Sequence, residues 1–179
     1  MSQQDKHLEI ERRWLLSGLP KLDISTAIIF KRFRFVTLYI VNDPKLEVRI
    51  RERYGNGEIT YSVVTKIGSG LTRQESPKLS ASTDLFNYYV TLGKPHIAKN
   101  HFEIILPSGQ KWEVNHFYQP TSVHGLILAE MEFDSEKAAK KFGEQDFPDW
   151  LKPLIVKEVT DDPRYNGKNL AVHGKPNPE

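Results

Sequence analysis

The chain has 179 residues and no cysteine, with 25 Lys and Arg against 23 Asp and Glu, a formal net charge of +2. That length can bury a sizeable core, and the absence of cysteine excludes a disulfide framework and a thiolate zinc site. The small net charge argues for neither nucleic acid nor membrane as partner, so the placement of charges matters more than their total.

The longest apolar runs, such as Ala27–Phe30, are too short to cross a bilayer, and polar Met1–Lys6 lacks a signal-peptide core. A cytoplasmic location is expected. In chain order, a first strand is predicted over Lys6–Leu15, then a loop at Leu19–Asp23 with Ser25 capping a short helical turn. A second strand spans Phe30–Val41 and ends in a turn at Asn42-Asp43-Pro44. Leu46–Arg53 alternates charged and apolar residues, Gly55-Asn56-Gly57 signals a hairpin, and Glu58–Lys66 returns. Gly68-Ser69-Gly70 turns into a short strand at Leu71–Ser76. Ser82 or Thr83 caps a helix whose Leu85, Phe86, Tyr89 and Leu92 recur at helical spacing before Gly93. Strands follow at Ile97–Leu106, Gln110–Phe117 and Gly125–Phe133, and Ser135 caps a helix running to Phe142. The tail from Val159 to Ala171 is irregular with one short helix, and Pro176–Glu179 is expected to fray.

About eight hairpin-connected strands with helices inserted late predict an α+β fold built on an antiparallel barrel or strongly curved sheet. The polar faces sort by strand. The first and last strands carry Glu9, Glu11, Glu130 and Glu132; the third carries Arg49, Arg51 and Arg53 after Glu47. Others bear Lys66, then Arg73 with Glu75, then Lys99, His101 and Glu103, then Lys111, Glu113 and Asn115. On one strand, period-two charge describes a solvated face. Two Glu-x-Glu strands at opposite ends of the chain are different, because like charges so placed repel and a divalent cation resolves the repulsion. The expectation is a barrel with charged faces inward and apolar faces outward under the helices, its interior suited to an anion with metal ions. Trp14, Trp112 and Trp150 are expected in the core, and Arg32 and Arg53 on the surface.

Glu9-x-Glu11-x-Arg13 resembles the Glu-x-Glu-x-Lys signature of the CYTH domain, the triphosphate tunnel metalloenzyme superfamily. The resemblance continues in order through Leu46–Arg51, Val64-Thr65-Lys66, Arg73-Gln74-Glu75, Lys99-Asn100-His101, Trp112–Asn115 and Ala129–Phe133 to the Val159–Ala171 segment containing Tyr165 and Lys168. It implies a single CYTH-like domain over residues 1–179, with a core at about 6–172. It also implies an eight-stranded antiparallel tunnel with helices packed outside.

The implied activity is metal-dependent hydrolysis of a linear triphosphate, foremost inorganic tripolyphosphate, with Mg²⁺ or Mn²⁺. Adenylate cyclase of class IV type, thiamine triphosphatase and a non-catalytic polyphosphate- or nucleotide-binding protein are the alternatives. Under the resemblance Glu9, Glu11, Glu75, Glu130 and Glu132 hold metal, and Glu11, Glu132 and Lys99 serve catalysis. Arg13, Arg49, Arg51, Lys66, Arg73, His101 and Lys168 bind the phosphates, with Glu113 and Asn115 left unassigned. The partner is a triphosphate-containing small molecule rather than nucleic acid or membrane, and a homodimer is compatible. Arg13, Pro77, His101 and Asn115 depart from the family pattern, which implies metal and triphosphate binding with turnover reduced.

Overall fold

The computed structural model describes residues 7–21, 28–43, 45–68 and 70–177. The predicted Ser25 cap, with parts of the Asn42–Pro44 and Gly68–Gly70 turns, lies outside them. Among the described residues the charge alternation resolves into ten strands: β1 (His7–Leu16), β2 (Ile29–Asn42), β3 (Leu46–Gly55), β4 (Glu58–Ile67), β5 (Thr72–Glu75), β6 (Leu79–Ser80), β7 (His96–Ile105), β8 (Lys111–Gln119), β9 (Ile127–Glu132) and β10 (Ile155–Glu158). Three α-helices accompany them: α1 (Thr83–Thr91), α2 (Glu136–Lys141) and α3 (Gly167–His173).

Eight strands close on themselves in the order β1-β5-β4-β3-β2-β7-β8-β9 and back to β1, all antiparallel. Closure removes free sheet edges, and an eight-stranded barrel is wide enough for a small ligand. The two extra strands are short additions. Leu79–Ser80 pairs with β4, and Ile155–Glu158 pairs with the far half of β1 through Trp14↔Glu158.

Local chemistry sets the turns and caps. The β3–β4 hairpin needs positive φ at both central residues, and Asn56 (54°) and Gly57 (81°) supply it. Ser82 accepts from the Leu85 amide to start α1, and Ser135 accepts from the Ala138 amide to start α2.

The outer face of the barrel is apolar where helices and loops cover it. Trp14, Trp112, Val114, Ala129, Met131 and Leu151 form one core, with Phe142, Phe147 and Trp150 packed over it. Trp112 is fully buried, so its truncation to Ala should cost about 3–5 kcal/mol. Leu38, Ile50 and Phe86 join α1 to β2 and β3. A third cluster, of Tyr39, Ile97, Phe117, Leu128, Val159, Tyr165 and Leu170, brings the C-terminal segment against one end of the barrel. There Gly167 allows close approach, since a Cβ at that position would meet the Tyr39 hydroxyl at 2.0 Å.

Inward charge holds for β1, β3, β7, β8 and β9, but β2 differs. Its inward residues are Phe33, Phe35, Thr37 and Tyr39, all buried. Both faces of that strand carry rings or aliphatics, so the alternation does not say which face turns inward.

A charged tunnel as candidate active site

The barrel encloses a cavity of about 450 Å³ whose walls carry nearly all the predicted site residues. Register explains how they meet. Glu11 lies opposite Glu132 and Arg13 opposite Glu130 across β1 and β9. Glu9 lies opposite Arg73, and Lys66 stands between Glu47 and Glu75. Depth follows from the same register. Glu132, at the end of β9, is 51 % exposed at its side chain, while Tyr39, Ile97, Phe117, Leu128, Tyr165 and Gly167 line the opposite, apolar end.

On the β1, β5 and β9 side, acids and bases are matched. Arg13 donates Nη2 to Glu11 at 2.6 Å and Nε to Glu130 at 2.7 Å, and its Nη1 reaches the Tyr165 carbonyl and Asn166 Oδ1. These two carboxylates outweigh burial and raise the Arg13 pKa. Burial pushes the Glu130 carboxyl up, but Arg13 and Lys99 overcome it and hold it at about 2. Lys66 donates to both oxygens of Glu9, at 2.6 and 2.7 Å, and lies 3.0 Å from Glu75. Against burial, Lys66 and Arg49 bring Glu75 to about 2. Arg73 approaches Glu9 at 3.1 Å and Glu11 at 3.6 Å. Among the described residues Glu132 has only Lys111 at ion-pair distance, at 4.0 Å. Burial raises its pKa, and Glu113, Glu9 and Glu11 raise it further against Lys111. Burial also raises Glu9, with Glu11 and Glu75 adding to it against Lys66 and Arg73.

The β3 and β7 side is different. Arg49 lies 3.2 Å from Glu47, yet its Nε is buried with no hydrogen-bond partner among the described residues. Among the described residues, neither Arg51 nor Lys99 has a carboxylate at ion-pair distance. Arg51 donates to Thr37 Oγ1 at 3.2 Å and lies over the Phe35 ring at 4.5 Å. Burial, then repulsion from Arg49, lowers its pKa to about 10. Lys99 sits between the Phe35 and Phe117 rings at 6.0 and 5.5 Å. Burial takes it to about 8, with Arg51 and Arg49 adding to the fall against Glu130 and Glu113.

The remaining sequence candidates fall as follows. His101 and Asn115 are buried and joined, Nδ1 to Oδ1, at 2.8 Å, and Asn115 donates Nδ2 to Glu130 at 2.8 Å. Glu113 lines the cavity beside Lys111. Lys168 does not line it; its ammonium donates to the Asp43 carbonyl. Arg53, expected on the surface, is exposed but lies over Phe33 at 3.8 Å and lines the mouth. The aromatic wall and the Tyr165–Gly167 end went unforeseen. Period-two spacing of Phe33, Phe35, Thr37 and Tyr39 was the available signal, and it needed the strand's facing to be read.

No family model matches this chain, and no curated protein matches it by sequence. Solved structures do. One described as the inorganic triphosphatase NE1496 superposes with a TM-score of 0.62 at 27 % identity, over 94 % of this chain and 97 % of that one. Another structure, described as the hypothetical protein NE1496, gives 0.61 at 27 % identity over 93 % and 99 %. PH1819 from Pyrococcus horikoshii OT3 gives 0.51 at 14 % identity over 73 % and 80 %, a likeness of fold alone. The chain has a CYTH-like tunnel fold, a closed eight-stranded antiparallel barrel with helices outside. Along nearly its whole length it is similar to a protein described as an inorganic triphosphatase.

Proposed function

We propose that this chain is a phosphoric anhydride hydrolase that cleaves a linear triphosphate, foremost inorganic tripolyphosphate, with Mg²⁺ or Mn²⁺. The observation that carries the reading is the pair Arg51 and Lys99, with no carboxylate at ion-pair distance among the described residues, beside the unpartnered Nε of Arg49 on one wall of the barrel cavity. Buried cations without counter-ions are costly, and a polyanion between them removes that cost. A likeness at 27 % identity to an inorganic triphosphatase supports the same class of substrate.

The donor set suits a hard divalent ion. Glu9, Glu11, Glu75, Glu130 and Glu132 line one cavity, and mutual repulsion helps raise Glu9 and Glu132. Among the described residues only His101, Glu103 and Glu113 bring three ligand atoms within 4.8 Å of one another, so an ion would have to draw these acids together. When bound, such an ion would neutralise phosphate oxygens and polarise an attacking water. Arg49 and Arg51 would grip the phosphates with paired N–H donors, while Lys66 and Arg73 would turn from Glu9 toward them. Lys99 would place a proton-bearing ammonium at the leaving phosphate, where developing charge needs stabilising. His101 lines the same cavity and would be a further polar contact there. Lys168 would act by tying the C-terminal segment to Asp43. On this reading residues 1–179 are one domain, working in the cytoplasm. Among the described residues no helix is long and apolar enough to cross a membrane.

One observation favours a second reading, a non-catalytic triphosphate-binding protein: Arg13 already occupies oxygens of both Glu11 and Glu130. Phosphate release from tripolyphosphate with Mg²⁺ or Mn²⁺, with ATP alongside, decides between them. Release supports the hydrolase; saturable binding without release from either substrate sinks it in favour of the second reading.

A further inference from the structure

We propose that His101, Glu103 and Glu113 form a second cation site, built for a transition-series divalent ion of the Zn²⁺ class and separate from the Glu9, Glu11 and Glu132 group. The three residues come together by register. Glu103 pairs with Glu113 across β7 and β8, and His101 sits two residues before Glu103 on the same face. One donor atom from each lies within 4.8 Å of the others.

The histidine is prepared as a ligand. Glu130, ion-paired to Arg13, only accepts hydrogen bonds, so the amide end of Asn115 must face it. The Asn115 oxygen is thereby left for His101, and Nδ1 must carry the proton. A metal-binding imidazole typically has its second nitrogen fixed in this way by an acceptor. The ring is 4 % exposed and stacked on Phe35 at 4.6 Å, so it cannot swing away. Its Nε2 faces oxygens of Glu103 and Glu113 at 3.6 and 3.8 Å, long contacts of which the first helps lower the Glu103 pKa.

Those distances suit an ion between the groups. A tetrahedral Zn²⁺ with bonds of about 2.1 Å holds its ligands about 3.4 Å apart, so the two His101 distances are within a few tenths of an ångström of what it needs, and a water would take the fourth position. Imidazole with two carboxylates suits Zn²⁺ or its neighbours better than Mg²⁺, which prefers oxygen alone. Lys111 marks the boundary with the other group. Its ammonium holds the second Glu113 oxygen at 3.0 Å and stands 4.0 Å from Glu132.

The test uses metal-stripped full-length protein without substrate, so it is independent of hydrolysis. Zn²⁺ affinity is measured by competition with a chromophoric chelator, and ring nitrogens by ¹⁵N-histidine NMR. The expected result is one tight equivalent that shifts the His101 Nε2 resonance and leaves Nδ1–H in place. His101→Gln and the isosteric, part-exposed Glu103→Gln should each weaken it by about 100-fold, while Glu11→Gln leaves it unchanged. Thermal melts establish that each variant is folded. Equal Zn²⁺ affinity in wild type and both site variants overturns the proposal. So does the absence of Zn²⁺ binding in wild type.

Discussion

The two sides of the tunnel use the same residue types and end in opposite electrostatic states. On β1, β5 and β9, opposite charges face each other at Arg13↔Glu130 and Glu9↔Arg73, and the like pair Glu11↔Glu132 is offset by Arg13 and Arg73 at Glu11. On β3 and β7, cations remain uncompensated. The cause is the strand between them. β2 pairs Thr37 with Arg51 and Phe35 with Lys99, so neutral side chains stand where carboxylates would be needed. One side is therefore self-neutralised until a divalent ion competes for its acids, and the other is a standing receptor for an anion.

The largest expected effect separates the sides by metal dependence. Glu11→Gln or Glu132→Gln should lower metal-dependent phosphate release by roughly 10²–10³-fold, read by steady-state assay, while metal-free triphosphate binding changes little. Unchanged rates would break the assignment of the acidic side. Next, Arg51→Ala removes a charge-assisted contact of about 1.5–3 kcal/mol. Tripolyphosphate affinity by calorimetry should fall about 10- to 150-fold, and an equal loss from the outward-facing Arg32→Ala would erase the distinction.

A smaller effect comes from pH. Lys99 is charged below about 8 and neutral above it, so it aids anion binding at low pH and loses that role as pH rises through 8. Sulfate, whose charge is constant there, should bind several-fold more weakly at pH 9 than at pH 7, and Lys99→Met should flatten the profile. The smallest is Arg13→Lys. A single ammonium cannot hold Glu11 and Glu130 as the forked guanidinium does, and losing one hydrogen bond of about 0.5–1.5 kcal/mol should tighten Mn²⁺ a few-fold by electron paramagnetic resonance titration.

The charged strands were legible because period-two charge on both Glu-x-Glu segments has no purpose on a solvated face. The pairing state of those charges was not legible. Whether Arg13 meets Glu130 or water depends on register between segments over a hundred residues apart. β2 concealed its facing because it reverses the pattern of its neighbours: Arg32 and Arg34 point outward while Phe33 and Phe35 turn in, and beyond them Val36 and Leu38 alternate with residues no more polar than Thr37 and Tyr39. Leu79–Ser80 and Ile155–Glu158 escaped notice because strands of two and four residues take their form from the β4 and β1 edges they join. Arg53 is exposed as expected, but its place over Phe33 at the mouth was not legible, because a cation over a buried ring at the end of a strand has the same local sequence as a solvated one.

The contact between Gly167 and Tyr39 also sets the polarity of the cavity along its length. With Tyr165 and the start of α3 set against it, that end is lined by Tyr39, Ile97, Phe117 and Leu128, while the charges gather toward Glu132 at the other. Under the proposed function, an extended anion would lie with its charged groups toward the Glu132 end and would meet rings at the other.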